Sequence, residues 1–140
     1  MLKISDAVNL AFHAMMLLAA DTTGRELSVQ ELSRRLDVSD NHLSKVMQRL
    51  AKAGIVKSKR GPKGGFYLAL PPGDIRLIDI YEPIEGALPE ETCLLKQPLC
   101  DGECCLLGSL LHQMQRQIKT HLTSTTLADI TERMSCRPEV

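Results

Sequence analysis

The chain has 140 residues, 44% of them apolar, with 17 basic and 17 acidic side chains and no Trp. That length suits one ordinary domain or a small domain with an appended arm, and aliphatic and Met side chains must fill its core, since only two Tyr and two Phe are present. No run approaches the ~20 apolar residues of a membrane span, and Ala7–Ala20 is broken by Asn9 and His13 and lacks the basic flank of a signal peptide, so a cytoplasmic protein without membrane contact is expected.

The zero net charge is unevenly spread. Residues 1–70 hold 11 basic and 6 acidic side chains, residues 71–140 the reverse, and within 34–63 the count is nine to two. A basic front half is the footprint of a polyanionic partner, although a solvated helix face gives the same local signal.

The first helix is expected over 5–19, with Val8, Phe12, Met15, Met16 and Ala19 inward and Asp6 in its first turn; His13 sits beside that stripe as a boundary residue. Asp21–Leu27 reads as a loop. Ser28-Val29-Gln30-Glu31 has the spacing of a capping box, so a short helix starts there, carries Val29, Leu32 and Leu36 inward and ends near Leu36. Asp37-Val38-Ser39 makes a turn, and a third helix follows over 40–53 with Leu43, Val46, Met47 and Leu50 inward and Gly54 closing it. A short helix, a tight turn and a second helix with a polar outer face form a helix-turn-helix.

A strand at 55–58, a Gly- and Pro-rich turn at 59–65 and a return strand at 66–70 add a β-wing tipped by Lys59, Arg60 and Lys63. Pro71-Pro72-Gly73 ends it. Residues 74–85 suit a short helix that packs back on the head, with Pro83 bending its end. A long helix is expected over 105–122, with positions 107, 111, 114, 118 and 121 forming a seam that a second copy would cover, the alternative being that it folds back onto the chain's own head. One further turn near Leu127–Ile130 and a frayed end over 135–140 complete the chain. The fold class is therefore mainly α with a small β-wing (α+β). Residues 1–72 would form the DNA-binding head, 73–104 a connecting helix and sensor loop, and 105–140 a dimerisation helix and tail, packed together as one unit.

Two sets of residues carry the chemistry. On the third helix Asn41, His42, Ser44 and Lys45 are the base-reading candidates. Gln48 belongs to the same face, and Arg49 and Lys52, farther along, suit phosphate. Lys59, Arg60 and Lys63 of the wing and the capping residues Ser28 and Ser39 complete the DNA-binding set. The partner would be double-stranded DNA, read as a pseudo-palindrome by a homodimer.

The second set is sulfur. Four of the five cysteines, Cys93, Cys100, Cys104 and Cys105, fall within a segment that also holds Pro98 and Gly102, which suits no regular element. Thiolates are the ligands of iron–sulfur clusters, and the spacing differs from the paired C-x-x-C knuckles of zinc sites; iron–sulfur stands ahead of zinc and of bare redox thiols. Cys136 reads as a bystander.

Together these stretches resemble the Rrf-two family of bacterial winged-helix regulators. The resemblance rests on Leu10-Ala11 to Ala19, Asn41-His42-Leu43-Ser44-Lys45-Val46, Leu50 to Val56, the wing Arg60-Gly61-Pro62-Lys63-Gly64-Gly65-Phe66, Ile78-Asp79-Ile80 to Glu85-Gly86, the spaced cysteines and Thr125–Ile130. It implies a homodimeric transcriptional regulator, a repressor, that is not an enzyme and whose long helices cross. It also implies an iron–sulfur cluster, 2Fe–2S or 4Fe–4S, on Cys93, Cys100 and Cys105, responding to nitric oxide, iron or redox state. Cys100 departs from the family pattern by one position, which keeps Cys104 as an alternative ligand. Gly108 stands where some members carry a histidine ligand, so the fourth ligand is open among Cys104, His112, Asp6 or Asn9 from a partner, and a small molecule. The alternatives are a cluster-free regulator that senses by thiol oxidation or through a protein partner and, further off, a thiol or electron-transfer enzyme.

Overall fold

The computed structural model describes residues 2–90, 93–100, 105–107 and 109–135. The elements run α1 (Asp6–Ala20), α2 (Val29–Leu36), α3 (Asp40–Lys52), β1 (Val56–Lys59), β2 (Gly65–Leu68), a 3-10 turn at Pro72–Asp74, α4 (Leu77–Glu85), α5 (Leu110–Ser124) and α6 (Leu127–Ser135). This is the expected winged helix-turn-helix with a long helix beyond it. No described helix is long and apolar enough to cross a membrane.

Local chemistry sets each boundary. Ser5, Ser28 and Ser39 stand before α1, α2 and α3, and each hydroxyl accepts a backbone N–H of the first turn, from Val8, Glu31 and His42. The capping box expected at Ser28 is only half formed. Glu31 turns its carboxylate outward to Arg25 and Arg35, because two guanidiniums outbid one backbone amide. Asp37 ends α2 with φ 54°, a left-handed residue that sends the chain sharply into α3.

The core lies between α1, α3, α4 and the wing. Leu43, Val46, Met47 and Leu50 of α3 are all buried, as their spacing predicts. In α1 the buried residues are Val8, Leu10, Ala11, Ala14, Met15 and Leu18, whereas Phe12, Met16 and Ala19 of the expected stripe are half-buried. An apolar helix packed on several sides has no single stripe to read.

The wing is a two-stranded antiparallel ribbon with Lys59 opposite Gly65 and Val56 opposite Leu68. Its base is joined by Leu27, which the sequence placed in a loop. Leu27 pairs with Phe66 through two backbone hydrogen bonds of 3.0 and 2.8 Å and is fully buried. Gly65 makes this possible, since a Cβ there would strike the Leu27 carbonyl.

Beyond the wing three boundaries differ from expectation. Helix α4 begins at Leu77, not 74, because residues 75–77 form backbone bonds instead: Leu77 N–H donates to Thr125 (2.9 Å) and Leu127 N–H to Ile75 (2.9 Å). Helix α5 begins at Leu110, five residues late, where Gly108 in the sequence disfavours helix by about 1 kcal/mol and Ser109 serves as N-cap. Helix α6 is nine residues long, not one turn, and includes Ser135. Thr126 and Asp129 cap its start reciprocally, and Leu127 anchors it in the core. The remainder of the expected frayed tail, with Cys136, lies outside the described residues.

Candidate nucleic-acid interface and thiol segment

Helix α3 presents two faces of opposite character. With Leu43, Val46, Met47 and Leu50 inward, its helical period turns Asn41, His42, Lys45, Gln48, Arg49 and Lys52 outward, all exposed, while Ser44 is half-buried. Ser39 at the cap is exposed, and its hydroxyl is engaged with the His42 amide at 3.2 Å. The helix N-terminus therefore carries His42, Asn41 and Lys45 together, where free N–H groups and the helix dipole favour an anionic backbone.

Lys59, Arg60 and Lys63 are exposed on the wing. Between the wing and the start of α2 lies an open cleft of about 700 Å³ whose lining includes Arg25, Ser28, Glu31, Lys59, Arg60 and Lys63. Asn41, His42, Ser44, Lys45, Gln48, Arg49 and Lys52 of the sequence-derived DNA set lie elsewhere, on α3, with Ser39 at its cap, but Ser28 and the three wing cations converge here. Lys59 approaches Glu26 at 3.5 Å, so it is the partly neutralised member.

Arg25 was missed by the sequence reading. It donates twice to Glu31, at 3.0 and 2.8 Å, and Arg35 donates once at 2.7 Å. The Arg25 hydrogen bond holds the Glu31 carboxyl below its ordinary value. Exposed pairs of this kind add little stability, but they fix the Arg25 guanidinium in the lining of the cleft. Only the folded path of the 21–27 loop brings Arg25 there; no sequence spacing announces it.

Arg49 takes an unexpected position. Its Nη1 donates to the main-chain carbonyl of Ile84, near the end of α4, at 3.3 Å.

Among the described residues, the thiol segment between α4 and α5 forms no helix or strand. Cys93 and Cys105 are half-buried, Cys100 is exposed, and all three are free. The Leu95 N–H points at Cys93 Sγ at 3.4 Å. Among the described residues no three His, Cys, Asp or Glu side chains are grouped to hold a metal ion. Cys104, with 101–103, lies outside the described residues. The fourth-ligand candidates are dispersed: Asp6 and Asn9 line an open cleft of about 410 Å³ between α1 and α3, beside His13 and His42, and His112 accepts from Arg116 at 3.0 Å on α5. In donor chemistry the three cysteines suit an iron–sulfur cluster.

Apolar side chains around this segment are uncovered. Leu99 and Leu106 are 89% and 99% exposed, and Leu110 and Met114 of α5 are 52% and 48% exposed. Of the expected seam, Leu111 and Ile118 are half-buried, and Leu107, Met114 and His121 are exposed.

A recognition helix, a basic wing and a cleft of cations beside them define a winged helix-turn-helix transcriptional regulator. The chain belongs to the Rrf2 (Rrf-two) family: the family model described as "Iron-dependent Transcriptional regulator" matches residues 4–133. It is 33% identical over 129 residues to a protein of Aquifex aeolicus described as an HTH-type transcriptional regulator, covering 90% of this chain and 89% of that one. Among solved structures it is similar to CymR, the global cysteine regulator of B. subtilis, with a TM-score of 0.78, 29% identity and coverage of 95% and 98%. It is also similar to T. potens IscR, with a TM-score of 0.74, 28% identity and coverage of 99% and 94%. These relatives are regulators, not enzymes, which sets aside the thiol-enzyme alternative.

Proposed function

We propose that the chain acts as a homodimeric repressor whose operator affinity is set by the state of the Cys93–Cys105 segment, which holds an iron–sulfur cluster. Residues 1–72 are the DNA-binding head, 73–104 the connecting helix and sensor loop, and 105–140 the dimerisation helix and tail. Asn41, His42, Ser44 and Lys45 read base edges. Gln48, the wing cations Lys59, Arg60 and Lys63, and the helix-cap residues Ser28 and Ser39 meet the backbone of double-stranded DNA. Leu107, Leu111, Met114 and Ile118 meet their counterparts in the second subunit, so two heads address a pseudo-palindrome.

The observation that carries this reading is one of placement. Three free thiols lie between α4, which packs against α1 and α3, and α5, whose apolar seam is uncovered. Cys93, Cys100 and Cys105 are the proposed ligands, with Cys104 as alternative to Cys100. A cluster there would supply a charge and a crosslink that nitric oxide, iron supply or redox state can alter. Ordering the segment would then bias the spacing of the heads, as far as the two arrangements differ in affinity for it.

The test is a visible absorption spectrum of protein purified without oxygen, beside the Cys100→Ala variant, with operator binding of both at fixed salt. Iron–sulfur bands lost in the variant, together with a changed affinity, support the reading. Bands that persist move the middle ligand to Cys104. A colourless protein that resists reconstitution yet binds DNA overturns the cluster.

A second reading is favoured by the lack of a grouped donor set among the described residues: a cluster-free regulator sensing through thiol oxidation or a protein partner. It predicts that mild peroxide treatment alters operator affinity in the colourless protein and that the Cys100→Ala variant is unresponsive.

A further inference from the structure

Arg49 is a cation on the outer face of α3, and by position alone it belongs to the phosphate contacts. Its geometry says otherwise. The guanidinium Nη1 donates to the Ile84 carbonyl at 3.3 Å, across 35 residues of chain. Ile84 is in the last turn of α4, where carbonyls lack helical donors and the helix end carries partial negative charge. The closing bond of that helix, from Gly86 N–H at φ 88°, goes to Glu82 at 2.9 Å and leaves the Ile84 carbonyl to Arg49.

The surroundings hold the pair in place. Arg49 is flanked on α3 by Val46 and Leu50, both buried. On α4, Ile80 and Tyr81 are buried, and the Tyr81 hydroxyl donates to the Lys3 carbonyl at 3.1 Å. Both backbones are thus fixed, and a long planar side chain spans the gap between them. Cys93 follows Ile84 by nine positions. Among the described residues the end of α4 is therefore the last helical turn before the thiol segment, and Arg49 grips it from the recognition helix.

We infer that Arg49 is a positioning residue that ties the recognition helix to the end of α4 and so passes the state of the thiol segment to the DNA-reading surface, rather than a phosphate contact. This rests on the sensor reading above. Lys52, exposed on the same helix, is left for phosphate. Arg is suited to the task because its terminal nitrogens reach past the helix surface with a fixed donor direction.

The experiment compares wild type, Arg49→Gln, Arg49→Lys, Cys100→Ala and the double variant Arg49→Gln/Cys100→Ala, without oxygen, on a duplex selected from random sequence by the wild-type protein. Binding is measured across a salt series, and amide hydrogen exchange is followed over residues 84–90. The tether predicts that Arg49→Gln keeps the slope of log affinity against log salt. It also predicts that the affinity ratio between Cys100-intact and Cys100→Ala protein shrinks from at least about 5-fold to within about 2-fold, since allosteric couplings fall in the range of about 5–150-fold. Arg49→Lys should restore part of that ratio. Exchange at Gly86 to Leu88 should rise in Arg49→Gln.

A slope that falls by about 0.9, the signature of one lost phosphate contact, with the ratio intact, overturns the tether. Where cluster bands persist in Cys100→Ala, Cys104→Ala takes its place in the comparison. If the variant that has lost the bands binds with unchanged affinity while Arg49 is present, the sensor reading falls, and exchange over 86–88 then decides the tether: faster exchange in Arg49→Gln upholds it, unchanged exchange overturns it.

Discussion

The Ser33 hydroxyl of α2 donates to the Asp40 carboxylate in the first turn of α3, and the two helices are braced across the turn that joins them. Ser33 is buried at 4% exposure, and the Gln30 carbonyl at 3.1 Å is the second acceptor for its single proton. The charged acceptor is the stronger one. With left-handed Asp37 between them, this pair sets the angle at which α3 leaves the head.

Replacing Ser33 with Ala should cost about 1 kcal/mol, the usual net worth of such a bond, since exposed Asp40 regains water. Urea unfolding would measure it. The same variant should weaken DNA binding by more than its stability loss accounts for, because the angle of α3 is no longer held. Equal affinity for DNA would show the brace to be dispensable.

Gly65→Ala tests the seat of the wing. A Cβ at 65 meets the Leu27 carbonyl, so either the Leu27–Phe66 bridge opens or β2 shifts. A cost of roughly 2–3 kcal/mol is expected, in the range of backbone-strain substitutions, with DNA affinity falling in parallel. Thermal unfolding and a gel shift on the same preparation would read both.

Acid should unfold the protein through identifiable carboxylates. The Asp79 carboxyl is held below its ordinary value of 3.8, first by the side-chain hydrogen bond from Arg76, and Glu31 below 4.5, first by that from Arg25. A folded-state value depressed in this way contributes stability that is complete above the unfolded value and is lost as pH falls through the folded one. Urea midpoints should therefore hold steady above pH 4.5 and decline below 3.8, and Asp79→Asn should flatten that decline. At the alkaline end the sign reverses. Burial raises the Tyr81 hydroxyl above its ordinary 10.0, so its contribution is present below that value and lost as pH rises through the folded one.

Met114→Glu places a charge in the uncovered seam of α5. At 48% exposure the side chain contributes little to the fold of one subunit, so unfolding should change by less than about 0.5 kcal/mol, as for ordinary surface positions. Sedimentation should instead report a shift from dimer to monomer, and affinity for a two-half-site duplex should drop by at least about 10-fold. A variant that sediments like wild type would remove α5 from the interface.

The head was legible in the sequence because its signals are local. Ser28, Ser39 and Gly54 mark the ends of α2 and α3, and Leu43, Val46, Met47 and Leu50 repeat at the period of one helix face. The base of the wing was not legible: Leu27 joins Phe66 across most of the helix-turn-helix, and nothing near Leu27 reports it. The same holds for Arg25 and Arg49, whose partners are chosen by tertiary approach and not by spacing. Helix α6 was read as a single turn because Thr123–Thr126 is weak helix former by composition, whereas Thr126 in fact caps the next helix. Of the thiol segment, the sequence showed which residue types occur; the surroundings of Cys93, including the Leu95 amide, required coordinates.

The crossed backbone bonds between 75–77 and 125–127 have a mechanical consequence. They rivet the start of α4 to the end of α5, so the C-terminal end of α5 cannot leave the head. Its other end, next to Cys105, has no such rivet among the described residues. Fifteen residues at 1.5 Å each make a lever about 22 Å long. A pivot of roughly 10° about the rivet would carry the thiol end through about 4 Å at that length, more than half the pitch of a helix turn. Small torques at the fixed end and large excursions at the sulfur end are thus the same motion, seen from opposite ends of one rod.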